Sequence, residues 1–97
     1  MPNIVAFGAS SSQNSINRKL AHFAAQQVPY AHINLLDLND YEMPLYSTDR
    51  EKEGIPEKAH AFKAALQASD GIIISFAEHN GAYTTAFKNI FDWISRL

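Results

Sequence analysis

Three short apolar runs alternate with three segments of helical periodicity, and this alternation is the tightest constraint on what the chain can fold into. Asn3–Phe7 is a continuous apolar run that stops at Gly8. Gly71–Phe76 is the most strand-like run present, and Ala31–Leu36 is a weaker one that suits a sheet edge. Runs of this length bounded by turn residues read as buried strands. Ile16, Leu20, Phe23, Ala24 and Val28 recur at helical spacing up to Pro29, which ends a first helix. Ile55, Ala59, Phe62 and Leu66 form a second stripe, from Ile55-Pro56 to the Ser69-Asp70-Gly71 stop. A third helix starts at Thr84 or Thr85 and carries Phe87, Ile90, Phe91, Ile94 and Leu97, with Trp93 on its flank or facing outward. Strand and helix in strict alternation predict one α/β domain over residues 1–97, with a parallel sheet and right-handed crossovers.

Parallel sheets bind ligands outside the carboxyl ends of their strands. Two polar loops leave strands here, Ala9–Asn14 after the first and Ala77–Tyr83 after the third. Gly8 lets the backbone turn where a Cβ would be in the way. The loop then reaches a helix start near Ser15, whose first N–H groups lack intrahelical partners and sit at the positive end of the helix dipole. That is a seat for phosphate, with Ser10, Ser11, Ser12 and Ser15 as hydroxyl donors and Asn14 and Asn17 as amide donors. The loop is neither a Gly-Lys-Ser/Thr phosphate loop nor a Gly-x-Gly-x-x-Gly fingerprint. Taken alone, it reads equally well as an ordinary loop with Ser15 or Asn14 as N-cap.

Composition narrows the classes. The net charge of -2 and the lack of any basic cluster argue against nucleic acid or an anionic membrane surface as partner. The chain has no cysteine, so disulfides and thiolate chemistry are excluded. Met1-Pro2-Asn3 runs straight into a strand without a signal-peptide pattern, and no apolar run reaches membrane-spanning length, so the expected location is the cytoplasm. His22, His32, His60 and His79 have no metal-ligand spacing with one another. Glu78 beside His79 reads as a loop carboxylate rather than an acid–base pair, and no catalytic residue is assigned. Asp37–Gly54 is a loop long enough to be functional or mobile. Its charged run Asp49–Glu53 reads as a solvated turn.

With these residues in view, the chain resembles the NAD(P)H-dependent FMN reductases. Gly8-Ala9-Ser10-Ser11-Ser12…Ser15-Ile16-Asn17 is similar to their phosphate loop. Glu78-His79-Asn80-Gly81-Ala82-Tyr83…Lys88-Asn89…Asp92-Trp93 is similar to their second signature, with Ala77 in place of a common proline, His79 in place of a common tyrosine and Ala9 in place of a frequent serine. Asp37-Leu38 through Pro44-Leu45-Tyr46 also fits the family. The resemblance implies a flavodoxin-like three-layer αβα fold with strand order 2-1-3. It implies FMN as cofactor and NAD(P)H as electron donor, with electrons passing to a small-molecule acceptor such as a flavin or quinone. It implies that Ser10, Ser12, Ser15, Ile16 and Asn17 surround the FMN phosphate and that Glu78, His79, Asn80 and Gly81 border the isoalloxazine. It also implies a homo-oligomer. The family domain is about twice this length, so the expectation is a domain cut after its third helix, with a bare third strand that pairs with another copy. The alternative is a non-enzymatic FMN- or phosphate-binding half domain that self-associates.

Overall fold

In the computed structural model, which describes residues 1–97, β1 (Asn3–Ala9) lies between β2 (His32–Leu35) and β3 (Gly71–Phe76) and runs parallel to both. The order β2-β1-β3 is the one expected from the flavodoxin-like reading. α1 (Ile16–Gln26) connects β1 to β2; α2 (Thr48–Lys52) and α3 (Glu57–Gln67) lie between β2 and β3; α4 (Thr85–Ile94) follows β3. Side chains alternate across a strand, so β1 feeds two cores. Ile4 and Ala6 pack on Ala21 and Ala25 of α1. Val5, Phe7 and Ala9 pack on the other face against Phe62 of α3, Ile90 of α4, and Leu36 and Leu38. Phe7 meets Phe62 edge-on at 5.4 Å between centroids. Full burial of each such ring contributes about 2–3 kcal/mol.

Four sequence expectations change. The first helix turns Ala21 and Ala25 inward, while Ile16 is 78%, Leu20 56% and Phe23 61% exposed. Only a small side chain fits where α1 lies this close to the sheet, so the bulky residues of the stripe point away. Phe91 of α4 is also half exposed, whereas Trp93 is fully buried. The long segment after β2 is not a bare loop. It holds a 3-10 turn at Leu38–Tyr41 capped by Asp37, and the charged run forms α2 with Ser47 as its N-cap. Finally, the polar loop after β3 is a hairpin of β4 (Glu78–His79) and β5 (Ala82–Tyr83).

No helix is long and apolar enough to cross a membrane. β3 is the second edge of the sheet.

Candidate functional site

The site is built at the carboxyl ends of β1 and β3, which are paired neighbours through Ala9 and Phe76. Gly8 allows it to form. A Cβ on Gly8 would lie 2.4 Å from the backbone nitrogen of Arg18 and 2.8 Å from its Cα. The first turn of α1 therefore presses its backbone onto the end of β1, and only glycine leaves room. The sequence argument placed the crowding in the turn; the structure places it between strand and helix.

Ser15 caps α1. It is 6% exposed, and its Oγ accepts from the N–H of Arg18 at 3.1 Å. Ser10 Oγ accepts from the N–H of Ser12 at 3.1 Å, which folds the loop back on itself. The N–H groups of Ile16 and Asn17 have no acceptor within the chain. They are the free donors of the helix start. The side chain of Ile16 is exposed, so only its backbone faces the loop as a donor.

Two hydrogen bonds tie the elements flanking this loop to those flanking the hairpin. Ser75 Oγ on β3 donates to Asn17 Oδ1 at 2.7 Å. The carboxamide of Asn17 is oriented by this bond, and its NH2 remains free to donate. Thr84 is 3% exposed. Its Oγ1 donates to the Ala9 carbonyl at 2.7 Å and accepts from the N–H of Phe87 at 3.2 Å. One hydroxyl therefore caps α4 and anchors the start of the phosphate-type loop. Sequence reasoning had Thr84 or Thr85 as a cap; it missed the reach to Ala9, and it missed Ser75 altogether. Neither signal is local, since the partners lie 75 and 58 residues apart.

Glu78, His79, Asn80 and Gly81 are all exposed on the hairpin. Asn80 has φ 55° and Gly81 φ 79°, the pair of positive values that a type I′ hairpin turn demands. Asn-Gly is here for the turn, and it presents backbone rather than side chains. Beside it, Phe76, Ala77, Glu78, Gly81, Ala82 and Tyr83 line an open, mostly apolar hollow of about 540 Å³.

The three loop tyrosines separate. Tyr83 packs edge-on against Phe87 near the hairpin. Tyr41 stands edge-on to Phe62, and burial followed by the neighbouring Asp40 raises its hydroxyl pKa. Tyr46 meets Trp93 edge-on and donates to Glu51 Oε1 at 2.5 Å, a bond that raises the Tyr46 pKa and lowers that of Glu51. Tyr41 and Tyr46 thus serve the central segment.

A phosphate monoester fits this loop. It needs several convergent donors and no competing carboxylate. The loop offers the N–H groups of Ile16 and Asn17, the hydroxyls of Ser10, Ser12 and Ser15, and the Asn17 amide. No Asp or Glu occurs before Asp37.

A family model described as NADPH-dependent FMN reductase matches residues 2–96. A 2-hydroxy-1,4-benzoquinone reductase of a Burkholderia species is 35% identical over 88 residues, covering 90% of this chain and 46% of that protein. An uncharacterised Mycoplasma pneumoniae protein is 37% identical over 87 residues, covering 90% of this chain and 51% of its own. Among solved structures, FerB of Paracoccus denitrificans, a flavoenzyme NAD(P)H:(acceptor) oxidoreductase, superposes with a TM-score of 0.77 at 24% identity. It matches the whole of this chain with 52% of its own, which supports the flavodoxin-like reading of the fold. The chain spans about half the length of the curated relatives it matches.

Proposed function

The chain belongs to the NADPH-dependent FMN reductase family, and from that premise we propose that it forms the FMN-binding crevice of an NAD(P)H-dependent oxidoreductase acting on a small acceptor of the quinone class. One observation carries the reading. The elements on either side of the donor-rich loop are tied to those that carry the hairpin: Ser75 on β3 donates to Asn17 of α1, and Thr84 at the start of α4 donates to the Ala9 carbonyl at the end of β1. This supports a reading in which the loop seats the phosphate and the apolar hollow beside the hairpin takes the ring system.

Bound FMN supplies the hydride chemistry, accepting from the nicotinamide and passing electrons on. The protein positions. Ile16 and Asn17 donate backbone N–H groups to the phosphate; Ser10, Ser12 and Ser15 add hydroxyls; Asn17, steered by Ser75, adds its amide. Glu78, His79, Asn80 and Gly81 border the ring system, chiefly through the backbone that the Asn80-Gly81 turn exposes. No side chain is assigned as a proton donor or acceptor. A quinone acceptor follows from the Burkholderia relative's activity. The same reading puts the protein in the cytoplasm, where reduced nicotinamide nucleotides are available.

A homo-oligomer is part of this proposal. Ile72 on the β3 edge and Phe76, Tyr83 and Phe91 beside it are each about half exposed. That apolar flank also favours a second reading, a flavin-binding module that self-associates without turnover.

The test is a titration of FMN into the purified chain, read by quenching of flavin fluorescence, with riboflavin as control. FMN binding tighter than riboflavin binding by about tenfold or more supports the phosphate seat, since one charge-assisted contact set contributes roughly 1.5–3 kcal/mol. Equal binding of the two, or no binding, overturns it. NADPH oxidation with benzoquinone as acceptor then separates the enzyme from the passive module.

A further inference from the structure

The sheet has two edges, and they are finished differently. β2 is four residues long, and its exposed positions are His32 and Asn34. β3 is six residues long, Gly-Ile-Ile-Ile-Ser-Phe. Short strands, charges and prolines keep an edge from pairing, and β3 has none of these. Its outward backbone groups follow from the ladder. The Pro2 and Ala6 carbonyls accept from the N–H groups of His32 and Leu36, so the even residues of β1 face β2. Gly71, Ile73 and Ser75 stand opposite Ile4, Ala6 and Gly8, and they bond to the odd residues of β1. The N–H and C=O groups of Ile72, Ile74 and Phe76 are thus left pointing outward, with no strand beside them.

Apolar side chains gather on the same flank. Ile72, Phe76, Tyr83 and Phe91 are 48%, 52%, 50% and 51% exposed. Phe76, Tyr83, Phe87 and Phe91 border an all-apolar hollow of about 310 Å³, in which Phe87 meets Phe76 edge-on at 4.9 Å. At about 150–250 Å² for each large side chain, half exposure amounts to roughly 400 Å² per copy. An occupant must therefore offer a strand to the ladder, an apolar side chain to the hollow and no charge to the flank.

We propose that the occupant is β3 of a second copy of this chain, paired antiparallel about a two-fold axis through Ile74. Ile74 then stands opposite its own counterpart, and Ile72 opposite the partner's Phe76. These are the residues whose groups point outward, so each opposed pair exchanges both of its hydrogen bonds. Opposed residues share a face of the sheet. The partner's Ile72 therefore comes beside Phe76 and enters the aromatic hollow, a β-branched side chain against a ring. No like charges meet along the strands, since Gly71–Phe76 carries none. Two copies bury roughly 800 Å² of side chain, and the strand edges bring the total to about the 1,000 Å² of a specific interface. The polar β2 edge stays free, so assembly closes at a dimer. The inference deepens the homo-oligomer part of the proposed function and does not depend on the FMN reading.

The experiment uses the purified, FMN-free chain at about 10 μM and about 1 mM, with sedimentation equilibrium for mass and amide hydrogen exchange read by NMR. A dimer that dissociates on dilution is expected. The N–H groups of Ile72, Ile74 and Phe76 are expected to exchange at least about tenfold more slowly at the higher concentration. Those of Gly71, Ile73 and Ser75, already bonded to β1, should change little. Ile72→Lys places a charge at a half-exposed position outside the crevice. It is expected to weaken the dimer by about tenfold or more, with an unchanged circular dichroism spectrum. A chain that stays monomeric at the higher concentration overturns the inference. So does a dimer whose three outward amides exchange as fast as in the monomer, because the contact then lies elsewhere. Protection of those amides in the monomer also overturns it, because another segment then covers the edge. FMN binding to a monomer would keep the FMN reading and sink the dimer. An FMN-free dimer with these protections that binds no FMN would do the reverse.

Discussion

The indole Nε1–H of Trp93 donates to the carbonyl of Pro44 at 2.8 Å, across 49 residues of chain. Asn89, one turn earlier on α4, reinforces the contact. Its Nδ2 donates to the carbonyls of Met43 and Pro44, and its Oδ1 accepts from the N–H of Tyr46. The second half of the Lys-Asn…Asp-Trp motif is therefore a clamp on the Met43–Tyr46 segment rather than part of the crevice.

Replacing Trp93 by Phe keeps most of the apolar volume and leaves the Pro44 carbonyl with the Asn89 amide as its remaining donor, at 3.2 Å. The expected cost is about 1–2 kcal/mol, one net hydrogen bond plus imperfect packing. Trp93→Ala is expected to cost roughly 3–5 kcal/mol. Urea unfolding followed by far-ultraviolet circular dichroism measures both. A midpoint for Trp93→Phe equal to that of the parent would show that the hydrogen bond contributes nothing net.

Gly8→Ala tests the close approach of α1 to β1. The clashing atoms are the backbone N and Cα of Arg18, which cannot rotate away as a side-chain tip would. The helix start must shift, at an expected cost of about 3 kcal/mol. Because Ile16 and Asn17 move with it, FMN affinity should fall even at temperatures where the variant stays folded. An alanine variant with parental stability and affinity would contradict the crowding.

Much of this architecture was legible from pattern. The apolar runs of β1 and β3 and the helix signals located the strands and the loops that leave them, because burial on both faces makes a strand such as β1 continuous in apolar residues, while the strand order came from the family resemblance. What was not legible depends on distance between helix and sheet. Ile16, Leu20 and Phe23 have the spacing of a core stripe, yet the close packing enforced at Gly8 admits only Ala21 and Ala25. The hairpin was readable in hindsight from Asn80-Gly81, a strong I′ turn signal. Its strands are two residues each, too short to show alternation. The Asn17–Ser75 and Thr84–Ala9 bonds, by contrast, leave no periodic trace, and only the assembled sheet brings those pairs together.

Acid and alkali should loosen the same segment from opposite ends. Tyr46 donates to Glu51, and Arg96 pairs with Glu51 at 3.0 Å and lies over the Tyr46 ring. The Tyr46 hydrogen bond, then Arg96, hold the Glu51 carboxyl below its ordinary 4.5. That contribution is present above 4.5 and is lost as pH falls through the lowered folded value. The Tyr46 hydroxyl is raised above 10.0, first by its bond to Glu51. Its contribution is present below 10.0 and is lost as pH rises through the folded value. The cluster is largely solvent-accessible, so the effect on global stability is small and screened by salt. Trp93 fluorescence, with Tyr46 edge-on at 5.1 Å, reads it locally. The signal should be flat between these limits and change at both, and Glu51→Gln should abolish the acid step. A persistent acid step in that variant would assign it to another group.

Thr84 separates fold from site. Its hydroxyl both caps α4 and holds the Ala9 carbonyl, in a buried position where water cannot substitute. Thr84→Val preserves shape and removes both bonds, with an expected loss of about 1–2 kcal/mol from the cap and the orphaned carbonyl. Thr84→Ser keeps the hydroxyl and should retain most of that stability. Because the Ala9 tether fixes the loop that follows, the valine variant should also weaken FMN binding, whereas serine should restore it. Ser75→Ala provides the comparison. Its hydroxyl orients Asn17 without capping a helix, so it should lower FMN affinity with a smaller change in the unfolding midpoint than Thr84→Val. Parallel losses of stability and affinity in all three variants would mean that both tethers act only through global stability.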